Sequence, residues 1–590
     1  MIMFTIINAL RGCVKYRMPE YITIDNVTVN FESGLNVLEH AKKAGIYIPS
    51  FCYAPELSVY GACRMCLVEV TDAEAGRTFL YASCSLLAKP GMVIKSNTEK
   101  IIKYRKNILK LLLTRHSQDC NVCSADLTCK LRAFAGKYGI RAVHNERRFV
   151  KKVIDESSPS IIRDTSKCVS CGLCIRMCGE VQKTGAIDFT RRASDTIIAF
   201  DGGCSISDSF CTACGQCVHV CSTGSLSVKS SIDSVRKLLT DKNKKISVQV
   251  SPAVRIAVGE FFGVSPKENT FGRLAVALRK IGFDEVHDTS IASDVAVIQE
   301  AERLLLRLQS RRDMPIFSSF CPAWVRFLEK HYPELMIYVS TVKSSMQIFA
   351  GTYKREARKD YIRGAVMPCT AKKREILHKK SKGDTAFVLS SSEIISMIRD
   401  ACIDYIALSG DDSDECKWGR ASGAGMLFDV TGGFTEAVLR CMFSVFGRNT
   451  QENYQYIAES GIRGLPKPDP KSGTLSNGIK TVVFNLGEVE FSVAVVSGLA
   501  NADTLIKRIK NGEHFDFVEV TACPGGCICG GGQPKAEWFV KEKRKDALYL
   551  ADSICQVKSA EQNPDIRLWF DLMNSKSLEH KYWHRPLCGF

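Results

Sequence analysis

The chain has 590 residues, of which 45% are hydrophobic and 24% charged, and its formal net charge is +17. This composition is typical of a globular protein and excludes a disordered, collagen-like or coiled-coil chain. No run approaches the ~18 apolar residues of a membrane span, so we expect none. The positive charge is spread along the chain without a nucleic-acid-binding motif, which favours an acidic protein partner over nucleic acid.

The first twenty residues contain basic side chains but no acidic one before Glu20. Such a leader is typical of an organelle presequence, and an ordinary N-terminal tail is the alternative. It predicts a hydrogenosome or another mitochondrion-related organelle, with the cytoplasm as the alternative. The next residues, YITIDNVTVNF, alternate as a strand does. Residues 21–100 continue with short strands, a helix from Leu35 to Ala44 and glycine-containing turns.

The 27 cysteines fall into groups, and the first group lies in this N-terminal region with the spacing C-x10-C-x2-C-x17-C, at Cys52, Cys63, Cys66 and Cys84. Four thiolates in a loop between strands suit a 2Fe–2S cluster. Zinc uses the same ligands, but the long first gap and the lack of paired C-x2-C knuckles favour iron–sulfur. We therefore predict a β-grasp 2Fe–2S ferredoxin domain over residues 21–100.

A second group follows the segment IIKYRKNILKLLLTR, residues 101–115, whose spacing predicts a helix with basic residues on one face. Its pattern is H-x3-C-x2-C-x5-C, at His116, Cys120, Cys123 and Cys129. One imidazole and three thiolates suit a 4Fe–4S cluster that is less negative than an all-cysteine one. Zinc bound by the same four residues remains an alternative. Residues 101–150 are predicted to form this small module.

The most specific pattern is C-x2-C-x2-C-x3-C, which occurs twice, at Cys168, Cys171, Cys174 and Cys178 and at Cys211, Cys214, Cys217 and Cys221. Such a pair is the signature of a two-cluster 4Fe–4S ferredoxin, in which the last cysteine of each run binds the other cluster. We assign it to residues 151–235.

From residue 245 onward the strands ISVQVSP, RGAVMPCT and FSVAVVSG alternate with helical stretches such as EIISMIRDACIDYI and GFTEAVLRCMFSVFG. This alternation predicts an α/β domain over residues 245–544, followed by a short helical tail over 545–590. The fold class is thus multidomain α/β.

Three segments of the last domain, FSSFCPAWVRF, VMPCTAKK and VEVTACPGGCICGGGQP, place four further cysteines in three loops, at Cys321, Cys369, Cys523 and Cys527. Neighbouring glycines such as Gly526 allow the backbone to wrap a bulky group. Here the sequence resembles the FeFe-hydrogenases, in their long form with accessory clusters. The resemblance runs from about residue 21 to the end, and the tail resembles the family's small subunit.

The resemblance implies an H-cluster, whose 4Fe–4S half would be held by these four cysteines. Cys527 would also bridge to a di-iron subcluster that carries carbon monoxide, cyanide and a dithiolate amine. Lys372 matches a lysine that donates to a cyanide ligand, and Pro252 and Met367 match residues that line the cofactor. Glu300, Ser340 and Arg307 match the family's proton path.

Several positions depart from the family's pattern. The cysteine that relays protons beside the cluster is replaced by Phe320, which has no exchangeable proton. A glutamate of the proton path becomes Arg303, which stays protonated and cannot pass a proton on. A methionine beside the di-iron site becomes Thr521, a family glutamine becomes Met346, and a glycine of the TGG region becomes Asp429.

The resemblance implies reversible reduction of protons to hydrogen with electrons from reduced ferredoxin through one 2Fe–2S and three accessory 4Fe–4S clusters. A flavoprotein NADH dehydrogenase subunit and hydrogenase maturation proteins are further expected partners. The departures predict slow turnover or, as the alternative, a non-catalytic or sensory electron-transfer protein. A respiratory NADH dehydrogenase subunit is disfavoured because that family lacks PCTAKK and CPGGC. An iron–sulfur assembly factor is disfavoured because it lacks the first two cysteine groups.

Overall fold

The structure is a computed structural model that describes residues 20–71, 77–123, 128–140, 153–192, 195–268, 270–310, 315–356, 361–378, 383–409, 418–445 and 451–574. Residues 1–19 of the proposed leader lie outside the described part, and so do residues 575–590 of the tail. The chain forms two compact units. The first comprises Met1–Cys120, Cys129–Phe149 and Asp469–Thr474, and the second comprises Asn121–Thr128, Val150–Pro468 and Leu475–Phe590.

The first unit contains a five-stranded sheet in the order β2-β1-β5-β3-β4. Its strands are β1 (Tyr21–Ile24), β2 (Val27–Asn30), β3 (Leu67–Thr71), β4 (Thr78–Ala82) and β5 (Val93–Lys95). The single strand predicted from YITIDNVTVNF is wrong, because the segment is a hairpin. Asp25 and Asn26 form its turn with φ of 46° and 69°, the left-handed values that a two-residue turn requires and that Asp and Asn tolerate.

Three helices complete the described part of this unit: α1 (Val37–Lys43), α2 (Glu99–Leu113) and α3 (Lys130–Lys137). Asn36 and Thr98 cap α1 and α2 by accepting hydrogen bonds from backbone N–H groups of the first turn. Ile101, Leu109 and Leu113 bury one side of α2. The helices predicted at 35–44 and 101–115 are therefore present, and each bound differs from the prediction by two residues or fewer.

The second unit begins with two small antiparallel sheets, ordered β10-β7-β6 and β8-β9. Their elements are β6 (Ile154–Asp155), β7 (Ile161–Asp164), β8 (Ile187–Thr190), β9 (Ile197–Phe200) and β10 (Leu226–Val228), with the short helices α4 (Leu173–Arg176) and α5 (Gln216–Val220). Each short helix follows a glycine of positive φ, Gly172 or Gly215, within a cysteine motif. The two motifs are thus folded alike, as their matched spacing predicts.

Two further sheets form the centre of the α/β region, one parallel in the order β12-β11-β14-β15 and one in the order β13-β20-β19-β18. In the second sheet only the edge strand β18 runs antiparallel to its neighbour. The strands are β11 (Lys245–Val250), β12 (Glu285–Asp288), β13 (Ile316–Phe317), β14 (Tyr361–Met367), β15 (Phe387–Ser390), β18 (Ile479–Leu486), β19 (Val489–Ser497) and β20 (Phe517–Thr521), and a separate ribbon consists of β16 (Lys467–Asp469) and β17 (Thr474–Ser476).

Helices alternate with these strands. They are α6 (Ile232–Leu239), α7 (Pro252–Phe261), α8 (Thr270–Ile281), α9 (Ser290–Ser310), α10 (Pro322–His331), α11 (Ser345–Glu356), α12 (Ala371–Glu375), α13 (Ser391–Asp400), α14 (Gly423–Leu427), α15 (Gly433–Val445), α16 (Gln451–Ile457), α17 (Leu499–Lys510), α18 (Trp538–Ile554) and α19 (Ile566–Asn574). The helix predicted from EIISMIRDACIDYI is too long, because α13 ends at Asp400 and Cys402 has a left-handed φ of 53°. Within the described ranges, no helix has the length and apolar character needed to cross a membrane.

Candidate metal centres

The four cysteines of the first group lie together in the first unit. The backbone nitrogen of Phe51 lies 3.4 Å from the sulfur of Cys63, and the backbone nitrogen of Cys63 lies 3.4 Å from the sulfur of Cys52. Hydrogen bonds from the thiols of Cys63 and Cys84 lower the pKa of Cys52, and a hydrogen bond from Cys84 lowers that of Cys66. These contacts link the four sulfurs into one group, in which Cys52, Cys66 and Cys84 are buried and Cys63 is half-buried, as suits a 2Fe–2S site.

A buried arginine of α2 forms a hydrogen bond with the backbone of this cysteine loop. Arg105 lies on the apolar face of the helix, and its Nε and Nη2 donate to the backbone oxygens of Met65, at 2.9 Å, and Leu67, at 3.0 Å. Its Nη1 lies 3.2 Å from the hydroxyl of Tyr138, at the end of α3. Because Met65 stands between two predicted ligands, this side chain fixes the loop that carries them.

The second group begins where α2 ends. His116 follows the last turn of the helix, and its backbone N–H donates to Leu113. Cys120 opens a short 3-10 turn, and Cys129 is buried at the start of α3, where its sulfur accepts from the backbone nitrogen of Arg132 at 3.5 Å. Cys123 is half-buried, and residues 124–127 lie outside the described part.

In each of the two repeated motifs, the first three cysteines lie near the fourth cysteine of the other motif. The pKa values of Cys168, Cys171 and Cys174 are raised by burial and also by the charge of Cys221. Those of Cys211, Cys214 and Cys217 are raised by burial and by the charge of Cys178. The structure thus brings three cysteines of each motif near the last cysteine of the other, the arrangement of a two-cluster ferredoxin.

The second of these motifs packs directly on the loops of the α/β region. Ala213 accepts a hydrogen bond from the Thr370 hydroxyl at 2.7 Å, and Gln216 donates to the backbone oxygen of Cys529 at 3.0 Å. Burial lowers the pKa of His219 to about 3, so its neutral ring donates through Nε2 to Gly530 at 2.6 Å. This contact places the second motif beside the last four cysteines.

Those four cysteines follow the carboxyl ends of parallel strands, where ligands of open α/β sheets bind. Cys321 precedes α10 after β13, Cys369 follows β14, and Cys523 and Cys527 follow β20. Burial raises the pKa of all four, to about 12 for Cys369, and the pKa of Cys527 is raised further by nearby negative charges, including those of the other three cysteines. The structure therefore gathers them into one group of thiols.

Two glycines allow the loop of Cys523 and Cys527 to approach its neighbours. Gly526 has a φ of 89°, and a Cβ there would lie 2.6 Å from the backbone nitrogen of Thr431. A Cβ at Gly530 would lie 2.3 Å from the backbone oxygen of Pro368. The glycines are thus required by close packing of backbone on backbone around the site.

The residues expected around the cofactor also lie here. Lys372 follows Cys369 by three residues, and its Nζ is 3.4 Å from the backbone oxygen of Phe320 and 2.7 Å from Oε2 of Glu375. Its positive charge opposes the rise that burial causes in the pKa of Cys321. Pro252 begins α7 and Met367 ends β14, and both are buried.

The other three departures from the family's pattern, at Met346, Asp429 and Thr521, are all buried. Met346 packs with Met367 and neighbouring apolar residues. The hydroxyl of Thr521 lies 3.1 Å from that of Thr431. The carboxylate of Asp429 accepts from the backbone nitrogen of Ala253 at 2.8 Å and from the hydroxyl of Ser251, and its charge raises the pKa of Cys527.

Phe320 belongs to a cluster of three phenylalanines. Its ring centroid lies 4.9 Å from that of Phe428 and 5.0 Å from that of Phe434, and those two are 4.9 Å apart, all in edge-to-face geometry. We call these rings the phenylalanine cluster. The position next to Cys321 is therefore occupied by an apolar aromatic side chain.

The predicted proton-path residues are only partly joined. The hydroxyl of Ser340 donates to Oε2 of Glu300 at 2.7 Å, and burial raises the pKa of Glu300 to about 7. Arg303 donates through Nη1 to the Thr341 hydroxyl at 2.5 Å. The structure therefore joins Glu300 to Ser340 and places a guanidinium, not a second carboxyl, one helical turn away. Arg307 lines a surface cavity of about 470 Å³.

The donor sets fit iron–sulfur chemistry. Thiols whose pKa is raised by burial and mutual repulsion lose that penalty when they bind a cationic iron centre, which stabilises the thiolate. In the part of the chain that is described, no three His, Cys, Asp or Glu side chains converge closely enough to hold one metal ion.

Sequence reasoning missed Arg105 and the residues that join the second ferredoxin motif to the α/β loops. A signal for Arg105 was present, because one cation interrupts the apolar positions Ile101, Leu109 and Leu113 at helical spacing. Gln216 and His219 carried no signal beyond their place inside a cysteine motif. In the sequence, Phe428 and Phe434 are indistinguishable from ordinary core residues.

Three regions of the chain match models of known protein families. Residues 244–531 match the family model of the iron-only hydrogenase large subunit, C-terminal domain. Residues 21–99 match a 2Fe–2S iron–sulfur cluster binding domain, and residues 105–144 match the NADH-ubiquinone oxidoreductase-G iron–sulfur binding region.

Two relatives match this chain over nearly its whole length. The NADP-reducing hydrogenase subunit HndD of Solidesulfovibrio fructosivorans is 34% identical over 95% of this chain and 97% of its own. Iron hydrogenase 1 of Clostridium pasteurianum is 32% identical over 92% and 94%. A solved variant of the FeFe-hydrogenase HydA1 from Chlamydomonas reinhardtii is 27% identical with a TM-score of 0.50, and the match covers 60% of this chain and 98% of that one. The chain belongs to the iron-only, or FeFe, hydrogenases, in the long form that carries additional iron–sulfur domains.

Proposed function

We propose that the chain catalyses 2H⁺ + 2e⁻ ⇌ H₂ with electrons that reduced ferredoxin delivers through its iron–sulfur clusters, and that turnover is slow. The observation that supports the reaction is the group of four thiols at the strand ends, with Lys372 beside it, in a chain of this family. The observation that supports slow turnover is the phenylalanine cluster at the position of the proton relay.

The cofactors we propose are one 2Fe–2S cluster, three accessory 4Fe–4S clusters and an H-cluster. The first cysteine group would hold the 2Fe–2S cluster, the group that begins at His116 would hold one 4Fe–4S cluster, and the paired motifs would hold two. Cys321, Cys369, Cys523 and Cys527 would hold the H-cluster, which supplies the redox chemistry of protons and hydrogen when bound. The domain boundaries that we propose are those predicted from the sequence.

The chain's own residues would orient the cofactor and keep water out. The Lys372 ammonium lies where it can donate to an anionic ligand and offset its charge. Buried Pro252 and Met367 supply an apolar wall, and backbone packing at Gly526 holds the Cys527 loop in place. Each of these contributions is electrostatic or steric and needs no movement of the fold.

Proton supply is the weak step of this arrangement. Glu300 has a pKa near neutrality and a hydroxyl partner in Ser340, so it can hold and release a proton. The next group toward Cys321 would have to accept that proton, and the phenylalanine cluster has no atom that can. Loss of a placed general acid typically costs ~10²–10⁴ in rate.

The test is hydrogen evolution from dithionite-reduced methyl viologen by anaerobically purified protein matured with the di-iron cofactor. Infrared bands of bound carbon monoxide and cyanide first establish that the cofactor is installed. We expect hydrogen above background at a low rate. A fully loaded protein that evolves no hydrogen contradicts the enzyme assignment.

That outcome would support the second candidate, a non-catalytic or sensory electron-transfer protein. Phe320 and Arg303 favour it, because together they remove two proton-transferring groups while every predicted cluster ligand remains. Cluster reduction without gas production would then be the expected behaviour.

We also propose partners and a location. The relative that is named as a subunit of an NADP-reducing hydrogenase, and the match to an NADH-ubiquinone oxidoreductase region, support a flavoprotein dehydrogenase subunit. Maturation proteins would be needed to install the di-iron subcluster. The basic leader supports a hydrogenosome or related organelle, which microscopy of the tagged full-length chain would test.

A further inference from the structure

We propose that the outer face of α2 is the docking surface for an acidic one-electron carrier protein. This face is defined by Lys103, Lys106, Lys110, Tyr104 and Leu111. The inference rests on the proposed delivery of electrons by ferredoxin and adds where that protein binds.

The lysines form one line on the helix. Lys103, Lys106 and Lys110 are separated by three and four residues, so they lie on the same side, and all three are exposed. Within the described residues, no acidic side chain forms an ion pair with any of them. A positive stripe without internal compensation attracts a negative partner and raises the rate of encounter.

An apolar pair lies next to this line. Tyr104 and Leu111 are seven residues apart on an adjoining side of α2, with 42% and 69% of their surfaces exposed. An aromatic and an aliphatic side chain beside lysines have the composition of a protein interface, in which an apolar centre is surrounded by charge. Nucleic acid would not require the apolar pair.

The position of the helix relative to the cysteine groups supports electron transfer there. Arg105, on the opposite face of α2, donates to the backbone oxygen of Met65, which lies between Cys63 and Cys66, and to that of Leu67, the first residue of β3. The helix ends at Leu113, and only two residues separate it from His116, the first predicted ligand of the next group. One helix therefore touches the first cysteine loop and leads into the second group.

The electron step is simple. The reduced carrier loses one electron, and an oxidised cluster held by one of these two cysteine groups gains it, with no proton or other reactant consumed. Docking on α2 would bring the carrier to the surface of the element that contacts the first group and leads into the second.

The test is anaerobic stopped-flow oxidation of a reduced, acidic two-cluster bacterial ferredoxin by the cluster-loaded full-length chain. The variant reverses the three lysines together, Lys103→Glu, Lys106→Glu and Lys110→Glu. A matched control reverses three exposed lysines of the second unit, Lys237→Glu, Lys242→Glu and Lys267→Glu. Reduced methyl viologen, which needs no docking surface, serves as the second electron donor.

We expect the rate constant with ferredoxin to fall about tenfold or more in the α2 variant, and added salt should no longer slow this reaction, because the attraction that it screens is gone. The control variant should keep the wild-type rate, and the rate with methyl viologen should be unchanged in all three proteins. The variant Leu111→Ser should weaken the ferredoxin reaction most at high salt, where the lysines are screened.

A wild-type rate in the α2 variant would overturn the proposal. So would a wild-type chain that accepts electrons from viologen but not from ferredoxin, a result that would point to a flavoprotein subunit instead. Neither readout depends on hydrogen production. The docking proposal can therefore be overturned while the proposed reaction stands, and the proposed reaction can be overturned while the docking proposal stands.

Discussion

At the scale of single residues, the proposed slow turnover depends on the phenylalanine cluster. Phe320→Cys restores a thiol beside Cys321, and we expect hydrogen evolution from reduced viologen to rise by ~10²-fold or more. The cost is a smaller side chain in a packed site, which lowers the free energy of unfolding by a few kcal/mol at most.

The matched control is Phe320→Ala, which opens the same space without a proton-carrying group. If the alanine variant gained as much activity as the cysteine variant, water entry and not a thiol relay would explain the gain. Infrared spectra of both variants should show equal cofactor loading before the rates are compared.

The buried carboxyl of Glu300 gives a second prediction at this scale. Its pKa of about 7 in the folded chain is above the ordinary value of 4.5, so the folded state holds a proton that the unfolded state releases. Stability therefore falls as the pH rises from about 4.5 to about 7. Glu300→Gln removes this penalty, and we expect its melting temperature to exceed that of the wild type more at pH 8 than at pH 5.

Differential scanning fluorimetry of the two proteins at both pH values would measure this. Glu490→Gln, at an exposed carboxyl, is the control and should show no such pH-dependent difference. A Glu300→Gln variant that is equally stabilised at both pH values would contradict the burial argument.

At the scale of elements, α2 holds the first cysteine loop through one side chain. Arg105→Met keeps the apolar contacts of the helix but removes three hydrogen bonds, one to Met65 in that loop, one to Leu67 at the start of β3 and one to Tyr138. Charged hydrogen bonds contribute ~1.5–3 kcal/mol each, so we expect a lower melting temperature and partial loss of the 2Fe–2S cluster.

Visible absorption and electron paramagnetic resonance of the anaerobic protein would report the cluster. Tyr138→Phe removes only the hydrogen bond between Arg105 and the end of α3, and this variant should retain the 2Fe–2S cluster. Full cluster content in Arg105→Met would show that the cysteines hold their loop without the helix.

At the scale of the whole molecule, cluster loading should be coupled to pH. Burial and mutual repulsion raise the pKa of Cys523 and Cys527, so these thiols are protonated in the empty chain and must lose their protons to bind iron. We expect reconstitution with iron and sulfide to release protons and to be slower at pH 6.5 than at pH 8.5.

A pH indicator in weakly buffered solution would count the protons. Cys527→Ala should release fewer than the wild type, whereas Cys441→Ala, at a buried cysteine outside the predicted ligand sets, should release the same number. Equal release in Cys527→Ala would remove that thiol from the ligand set.

The parts that the sequence predicts well are those with a local signature. The cysteine spacings, the helix that becomes α2 and the strands β11, β14 and β19 all follow from short-range patterns. The turn at Asp25 and Asn26 was missed because the alternation continues across it. The end of α13 was missed because the apolar spacing continues past Cys402.

The contacts that shape the sites join residues far apart in the chain. Asp429 reaches Ser251 and Ala253, Gln216 reaches Cys529, and Phe320 reaches Phe434. Such pairs depend on how strands and helices are arranged in space, and neither spacing nor propensity within one segment contains that information. The sequence could therefore predict which cysteines form a group but not these long-range contacts around them.

The glycine at position 215 has a practical consequence for protein engineering. A Cβ there would lie 2.4 Å from the Thr370 hydroxyl and 2.9 Å from the Cα of Gly531. The paired-motif module is thus not an interchangeable cassette: a chimaera that imports it from a homologue must also import, or redesign, the loops it fits against.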